Sequence, residues 1–285
     1  MLPRLAKGGP EQQAIEAGEI DAIIDHASSN VILLPAARRA LREIDNRASA
    51  AGREAVNEAS VANRLLAALP RSEYEGLLSG LEPLTLKFGE VLHEPGAPIE
   101  YVHFPVDCVI SLLTTVDGRH ALEVGLVGYE GMVGISLALG ADVSSVRALV
   151  QGTGTTLRMK AARFHEAFRE CLPLQRELYR YAHVKLALAR KTVGCNSFHA
   201  TEARLARWLL MTSDRVRSEE FLLTQAFLAE MLGVRRNTVN EAAGSLQQRK
   251  LISYSRGTIR ILDRKSLEAA SCRCYTKIEG WRSAP

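Results

Sequence analysis

The chain has 285 residues, enough for one large domain or two ordinary ones, and 47% are hydrophobic, which supplies a core and excludes a disordered chain. No uncharged apolar run reaches the ~18 residues of a membrane span, and the opening MLPRLAKGGPEQQ lacks a signal-peptide apolar core, so the expected compartment is the cytoplasm, with no membrane partner. The net charge of +4 is uneven: residues 201–285 hold 15 Lys+Arg against 9 Asp+Glu, the remainder 21 against 23, a balance that suits a nucleic-acid partner at the C-terminal end.

Residues 1–60 are rich in Ala and charge and carry no motif with evident chemistry. Two short apolar runs, residues 19–25 and 31–34, flank the turn-like HASSN, which predicts a small hairpin. Residues 36–50 predict a helix with Leu41 and Ile44 on one side. The segment reads as an appended extension, either loosely docked or a regulatory arm.

Residues 61–81 predict a helical stretch capped by Asn63 and broken at Pro70. Beyond Pro83 the pattern changes to short strands: 84–88, 90–93, 99–104, 109–115, 122–127, 146–151 and 155–159. Turn signals separate several of them, at Phe88-Gly89-Glu90, Glu94-Pro95-Gly96 and Asp117-Gly118. Such spacing predicts a closed or sandwiched antiparallel sheet. His93, His103 and His120 fall within it, but without the close spacing of a metal-binding jelly roll, so no metal or other cofactor is expected there.

The five cysteines, Cys108, Cys171, Cys195, Cys272 and Cys274, are odd in number and scattered, a poor disulfide framework. Cys272-Arg273-Cys274 is the one close pair; no obvious second pair completes a zinc site in the sequence, and a redox switch stands as the lesser alternative.

From Leu174 the chain runs without Gly or Pro to Gly194 and predicts a long helix. Leu174, Leu178, Tyr181, Lys185 and Leu188 form one strip; Leu178, Ala182, Leu186, Ala189 and Val193 form its neighbour. A strip of this kind can be buried against a copy of itself or against the preceding sheet. Residues 201–211 predict a second apolar helix through Leu205, Trp208 and Leu209.

The following stretch, LTQAFLAEMLGVRRNTVNEAAGSLQQRKLISYSRGTIRI, reads as a helix–turn–helix and a β-hairpin. Thr224 caps a short helix, Gly233 ends it, and a second helix starts near Arg236. Leu228, Leu232, Val234, Val239 and Ala242 fall where two crossing helices bury apolar side chains, and Ala229 where they approach most closely. Arg235, Arg236, Asn237, Thr238 and Asn240 then face outward, suited to phosphates and base edges in a major groove. Thr224 and Gln225 are candidates for phosphate contact at the first helix, and Arg256, at the Arg256-Gly257 turn, for contact from a wing.

In these residues, and in the order of its parts over residues 63–267, the sequence resembles the Crp/Fnr family of bacterial transcription regulators. The resemblance implies an α+β chain with a β-roll (jelly-roll) sensor like a cyclic-nucleotide-binding domain (61–168), a dimerisation helix (169–195) and a winged helix–turn–helix (196–270), set between an N-terminal extension (1–60) and a C-terminal tail (271–285) that the resemblance does not cover. It also implies a homodimer on a palindromic double-stranded operator, with RNA polymerase as a further partner. Two recognition positions depart from the family, with Asn237 where a Glu is common and Glu241 where an Arg is frequent, so the family's best-known half-site does not carry over. The family's nucleotide clamp is also broken: Gly134-Ile135 lacks the Glu, and Arg147 stands outside an intact Arg-Ser/Thr-Ala order. A buried phosphate would be poorly compensated there, which argues against cyclic AMP and leaves the effector unknown. With no Cys in the first 107 residues, the family's N-terminal iron–sulfur chemistry is excluded. Catalytic residues are not expected, since no nucleophile–base pair, P-loop or paired carboxylate stands out. The rival readings are a metal-dependent cupin-like enzyme and a protein-interaction module.

Overall fold

The computed structural model describes residues 22–25, 30–33, 63–116 and 120–275; the helix expected over residues 36–50 lies outside them. Strands β1 (Ala22–Asp25) and β2 (Asn30–Leu33) pair antiparallel, and the turn expected between them lies outside the described residues.

Helices α1 (Arg64–Ala67) and α2 (Arg71–Leu78) are separated at Pro70, which lacks an N–H and disfavours helical backbone in the residue before it. Asn63 does more than cap. Its Oδ1 accepts from the Leu65 and Leu66 amides, while its Nδ2 donates to Pro105 and Gly131 carbonyls, tying the helix start to the sheet.

All seven expected strands form, with ends shifted by one or two residues. One antiparallel sheet runs in the order β3 (Glu82–Leu86), β9 (Gly154–Lys160), β5 (Tyr101–Pro105). The other runs β4 (Val91–His93), β8 (Arg147–Gly152), β6 (Val109–Val116), β7 (His120–Val127). Between the sheets lie Leu86, Cys108, Ile110, Val127, Ala148 and Val150, all buried. The result is the expected jelly roll, closed by alternation of inward apolar side chains.

After the roll the chain forms two helices, α3 (Ala161–Glu170) and α4 (Leu172–Phe198), where the sequence suggests one. The break falls at Cys171, whose Sγ accepts from the Leu174 amide, and Pro173 sits in the first turn, where its missing N–H costs nothing. The 27 residues of α4 carry two distinct faces. Leu174, Leu178 and Tyr181 are buried against the chain's own β-roll, so the first strip read from the sequence is intramolecular. Leu186 and Val193 of the second strip point to solvent instead, and with Leu172 and Tyr179 they form a run at seven-residue steps that is 61%, 51%, 50% and 68% exposed from Leu172 to Val193.

The C-terminal part contains α5 (Thr201–Val216), β10 (Glu220–Leu222), α6 (Gln225–Leu232), α7 (Arg236–Gln248), β11 (Ile252–Ser255), β12 (Thr258–Ile261) and α8 (Arg264–Ala270). Its three-stranded sheet runs β10-β12-β11. Its core is contiguous with Val109, Leu113, Leu126 and Leu149 of the roll, so the two parts are packed together.

Candidate nucleic-acid interface

The helix–turn–helix is set by local rules. Thr224 begins α6 with its hydroxyl accepting from the Phe227 amide at 3.1 Å. Gly233 ends it at φ 61°, a left-handed conformation, and the amides of Gly233 and Val234 return to Glu230 and Ala229 carbonyls. Helix α7 then buries Val239, Ala242, Ala243 and Leu246 against α5 and α6. The opposite face is left with Arg235, Asn237, Asn240 and Glu241 exposed, and with Arg236 and Thr238 half-buried at its edge.

Arg236 reaches back to α6, where its guanidinium donates to Gln225 Oε1 at 3.4 Å. The two helices thus share a polar contact at the end that presents the α7 N-terminus. Thr224 differs from the sequence reading. It is 1% exposed and its hydroxyl is engaged in the cap, so its side chain does not face a phosphate. At the wing, Ser255 pairs with Thr258 and the two residues between them, Arg256 and Gly257, have φ 50° and 78°. Both central residues are left-handed, as in a type I′ hairpin turn, and Arg256 projects into solvent.

The joint with the β-roll escaped the sequence reading. Arg215 of α5, fully buried, donates through Nε to Glu130 Oε1 at 2.9 Å, and the other Glu130 oxygen accepts from the Gly128 amide. Trp208 Nε1 donates to Glu123 Oε1 at 2.9 Å, and Ser111 donates to the second Glu123 oxygen. Lys185 of α4 donates to the Leu126 carbonyl at 2.6 Å. The stretch Tyr129-Glu130-Gly131-Met132-Val133-Gly134 organises this joint. Gly131 leaves room for Tyr181, since a Cβ there would lie 2.3 Å from the ring. Tyr181 in turn donates to the Met132 carbonyl, and the Arg217 guanidinium lies 4.0 Å over the Tyr129 ring. Gly134, at φ 94°, starts the short 3₁₀ turn Ile135–Leu139. Burial pushes Glu123 up to about 7, against the opposing pull of the Ser111 and Trp208 hydrogen bonds and the Arg207 and Arg215 charges. Burial also lowers Lys185 to about 8. A Glu-Gly pair beside a helix-facing Tyr was the available signal, but its partners lie 50 to 85 residues away.

The family model for the Crp-like helix–turn–helix domain matches residues 203–270. Residues 203–270 are thus a Crp-like helix–turn–helix domain, and the chain has the fold of solved Crp/Fnr-family regulators. A structure described as a Crp/Fnr-family transcriptional regulator from Eubacterium rectale superposes with a TM-score of 0.58 at 16% identity, covering 73% of this chain and 97% of that one. A CRP-family regulator from Thermus thermophilus gives 0.57 at 15% identity, over 68% and 99%. The global regulator CLP of Xanthomonas campestris, described as responsive to c-di-GMP, gives 0.56 at 16% identity, over 67% and 99%. No curated protein matches the sequence. Among the described residues, no helix is long and apolar enough to cross a membrane.

Proposed function

We propose that this chain is a Crp/Fnr-type transcription regulator that binds a palindromic operator as a homodimer, with α7 of each copy in a major groove. The observation that carries the reading is the division of α7 into a buried apolar side and an exposed polar N-terminal side, on a rigid support. Arg235, Asn237 and Asn240 are the side chains freest to reach bases and phosphates, Arg236 and Thr238 stand at the margin, and Arg256 contacts the backbone from the wing. Gln225 serves by orienting Arg236.

The dimer seam is the outward face of α4. Leu172, Tyr179, Leu186 and Val193 give the seven-residue repeat, with Ala182 and Ala189 at the intervening positions. Two copies can bury this stripe as a left-handed coiled coil, which sets the two α7 helices for half-sites one turn apart, ~34 Å.

The β-roll acts as the sensor. Arg147 pairs with Glu94 at 3.4 Å, and Ile135 follows Gly134, so the residues around the clamp are apolar or already engaged. This supports an effector other than a cyclic mononucleotide. Binding or modification in the roll shifts the population between arrangements of α4 and the docked DNA-binding part, through the joint around Glu130 and Glu123. The enzyme reading has weaker support. His93 and His103 lie with ring centroids 6.0 Å apart, but His93 bonds the Tyr101 carbonyl, and burial holds His103 down to about 3, with His93 and Arg158 adding to the effect.

Selection of bound sequences from random duplexes by the purified chain tests the reading. Enrichment of a palindrome with half-sites about one turn apart is expected. Enrichment of single half-sites would overturn the dimer, and salt-insensitive or absent DNA binding with and without cell extract would overturn the operator reading.

A further inference from the structure

The last turn of α4 and the segment after α8 meet at a cluster that plays no part in the DNA-binding reading. Cys195 and His199, four residues apart at the helix end, project to the same side. Cys272 and Cys274 follow α8. Cys195 Sγ lies 3.4 Å from Cys272 Sγ, and Cys274 Sγ lies 3.7 Å from His199 Nδ1. The four donor atoms all lie within 4.8 Å of one another, although the two pairs are separated by more than 70 residues.

We propose that Cys195, His199, Cys272 and Cys274 form a tetrahedral zinc site that fastens the C-terminal segment to the hinge between α4 and α5.

Three thiolates and one imidazole are a closed structural zinc set. A tetrahedron with Zn–S bonds of ~2.3 Å has edges of roughly 3.8 Å, which the observed spacings bracket. The separation is too long for a disulfide bond, and the cysteines are free. With all four donors within 4.8 Å the site is also too tight for an iron–sulfur cluster, in which thiolates on different irons stand farther apart. Hard cations such as Ca²⁺ or Mg²⁺ call for oxygen ligands, which this cluster does not offer.

Both ligand pairs are held in place without the metal. The His199 amide bonds the Cys195 carbonyl at 3.1 Å, as in the helix. The Cys272 amide bonds the Ala203 carbonyl at 3.2 Å, which lays the segment across the start of α5. Tyr275 closes a turn onto the Cys272 carbonyl, and its hydroxyl joins Asp214 and Arg264. Cys195 and Cys272 are buried, and Cys274 and His199 half-buried, so an ion can enter from one side.

The charge surroundings agree. Arg204 and Arg207 are 6% and 7% exposed and lie within electrostatic reach of Cys195. Among the described residues, neither makes an ion pair with a carboxylate. Zn²⁺ with three thiolates and a neutral imidazole carries one net negative charge, which offsets this buried positive charge. On binding, the three thiols release three protons to solvent and the ion exchanges its waters for three sulfurs and one nitrogen.

The test uses the untagged full-length protein, grown with zinc and analysed for metal after gel filtration. About one zinc per chain is expected, and Co²⁺ exchange should give the visible bands of a tetrahedral thiolate site. Cys272→Ser and Cys274→Ser should lose zinc at least tenfold more readily to a chelator, whereas Cys108→Ser, buried inside the roll, should keep it. Should the serine variants not fold, His199→Cys supplies a second arm, because a four-thiolate site retains the metal with a shifted cobalt spectrum. Zinc-free protein after loading with excess metal, unchanged retention in both serine variants, or a Cys195–Cys272 disulfide in freshly purified protein would each overturn the proposal. These readouts need no DNA, so their failure is distinct from failure of the operator reading.

Discussion

The DNA-binding part makes two kinds of contact, and they differ in chemistry. Its own interior is apolar: Leu205, Leu209, Leu228, Val239, Leu246 and Ile259 are all essentially unexposed. Its contact with the β-roll adds buried polar and charged groups, with Arg215 on Glu130 and Trp208 on Glu123. An apolar core is tolerant, because many combinations of side chains fill the same volume. A buried ion pair is selective, because each member is costly without its partner. The difference suits a molecule whose DNA-binding part must stay folded while its dock is adjusted.

The sharpest way to break the comparison is to remove one member of the pair. Glu130→Ala leaves Arg215 buried beside a vacated carboxylate and should cost about 3–5 kcal/mol, read by urea denaturation. Replacing both, Glu130→Leu with Arg215→Leu, should recover much of that loss. A double variant as unstable as the single one would show that Arg215 matters through its bond to the Met211 carbonyl and not through the pair.

The second effect is a pH dependence centred on Glu123. Its folded pKa of about 7 stands above the ordinary carboxylate value of 4.5, because burial disfavours the ion. Between those values the folded chain holds a proton that the unfolded chain has released. Its contribution is therefore fully present below about pH 4.5 and is lost as pH rises through about 7, with a span of about 3 kcal/mol. The protonated form also fits the hydrogen bonds. Ser111 has one proton and two acceptor neighbours, Glu123 Oε2 and Gln151 Oε1, so a Glu123 hydroxyl that donates to Ser111 satisfies the chain. Glu123→Gln should flatten the stability profile across this window. A wild-type chain equally stable at both ends, after correction for the other groups, would place the Glu123 charge in a wetter site than the structure shows.

The same contrast explains what the sequence disclosed. The helix–turn–helix, its cap at Thr224, its left-handed Gly233 and the Arg256-Gly257 turn depend on neighbours within a few residues, and all were legible. So was the strand pattern of the roll. The joint was not legible, since Glu130 and Arg215, or Glu123 and Trp208, are 85 residues apart and nothing local marks them as partners. The face of α4 was half legible: two strips were visible, but only the packed roll decides which is covered. The outward run Leu172, Tyr179, Leu186, Val193 shares its last two members with the strip that begins at Leu178, while Leu172 and Tyr179 lie outside both strips. The cysteines fall in the same class, because a ligand pair on α4 and another past α8 become neighbours only through the fold.

The finest comparison lies within the helix–turn–helix itself, between Arg236 and Thr224. The sequence offers both as DNA contacts, yet they stand differently. Arg236 is half-buried at the edge of the exposed face of α7, and Arg236→Ala should weaken specific operator binding by about 1–3 kcal/mol with little change in stability. Thr224 is enclosed and holds the Phe227 amide, so Thr224→Ala should cost about 1 kcal/mol of stability. Operator affinity per folded molecule should then hold steady, measured by fluorescence anisotropy well below the unfolding transition. The reverse outcome, lost affinity with unchanged stability, would mean that α6 opens at its N-terminus when DNA arrives and that the cap hydroxyl moves to a phosphate. In that case the first helix joins the recognition surface, and the rigid support inferred for α7 is itself part of what the operator remodels.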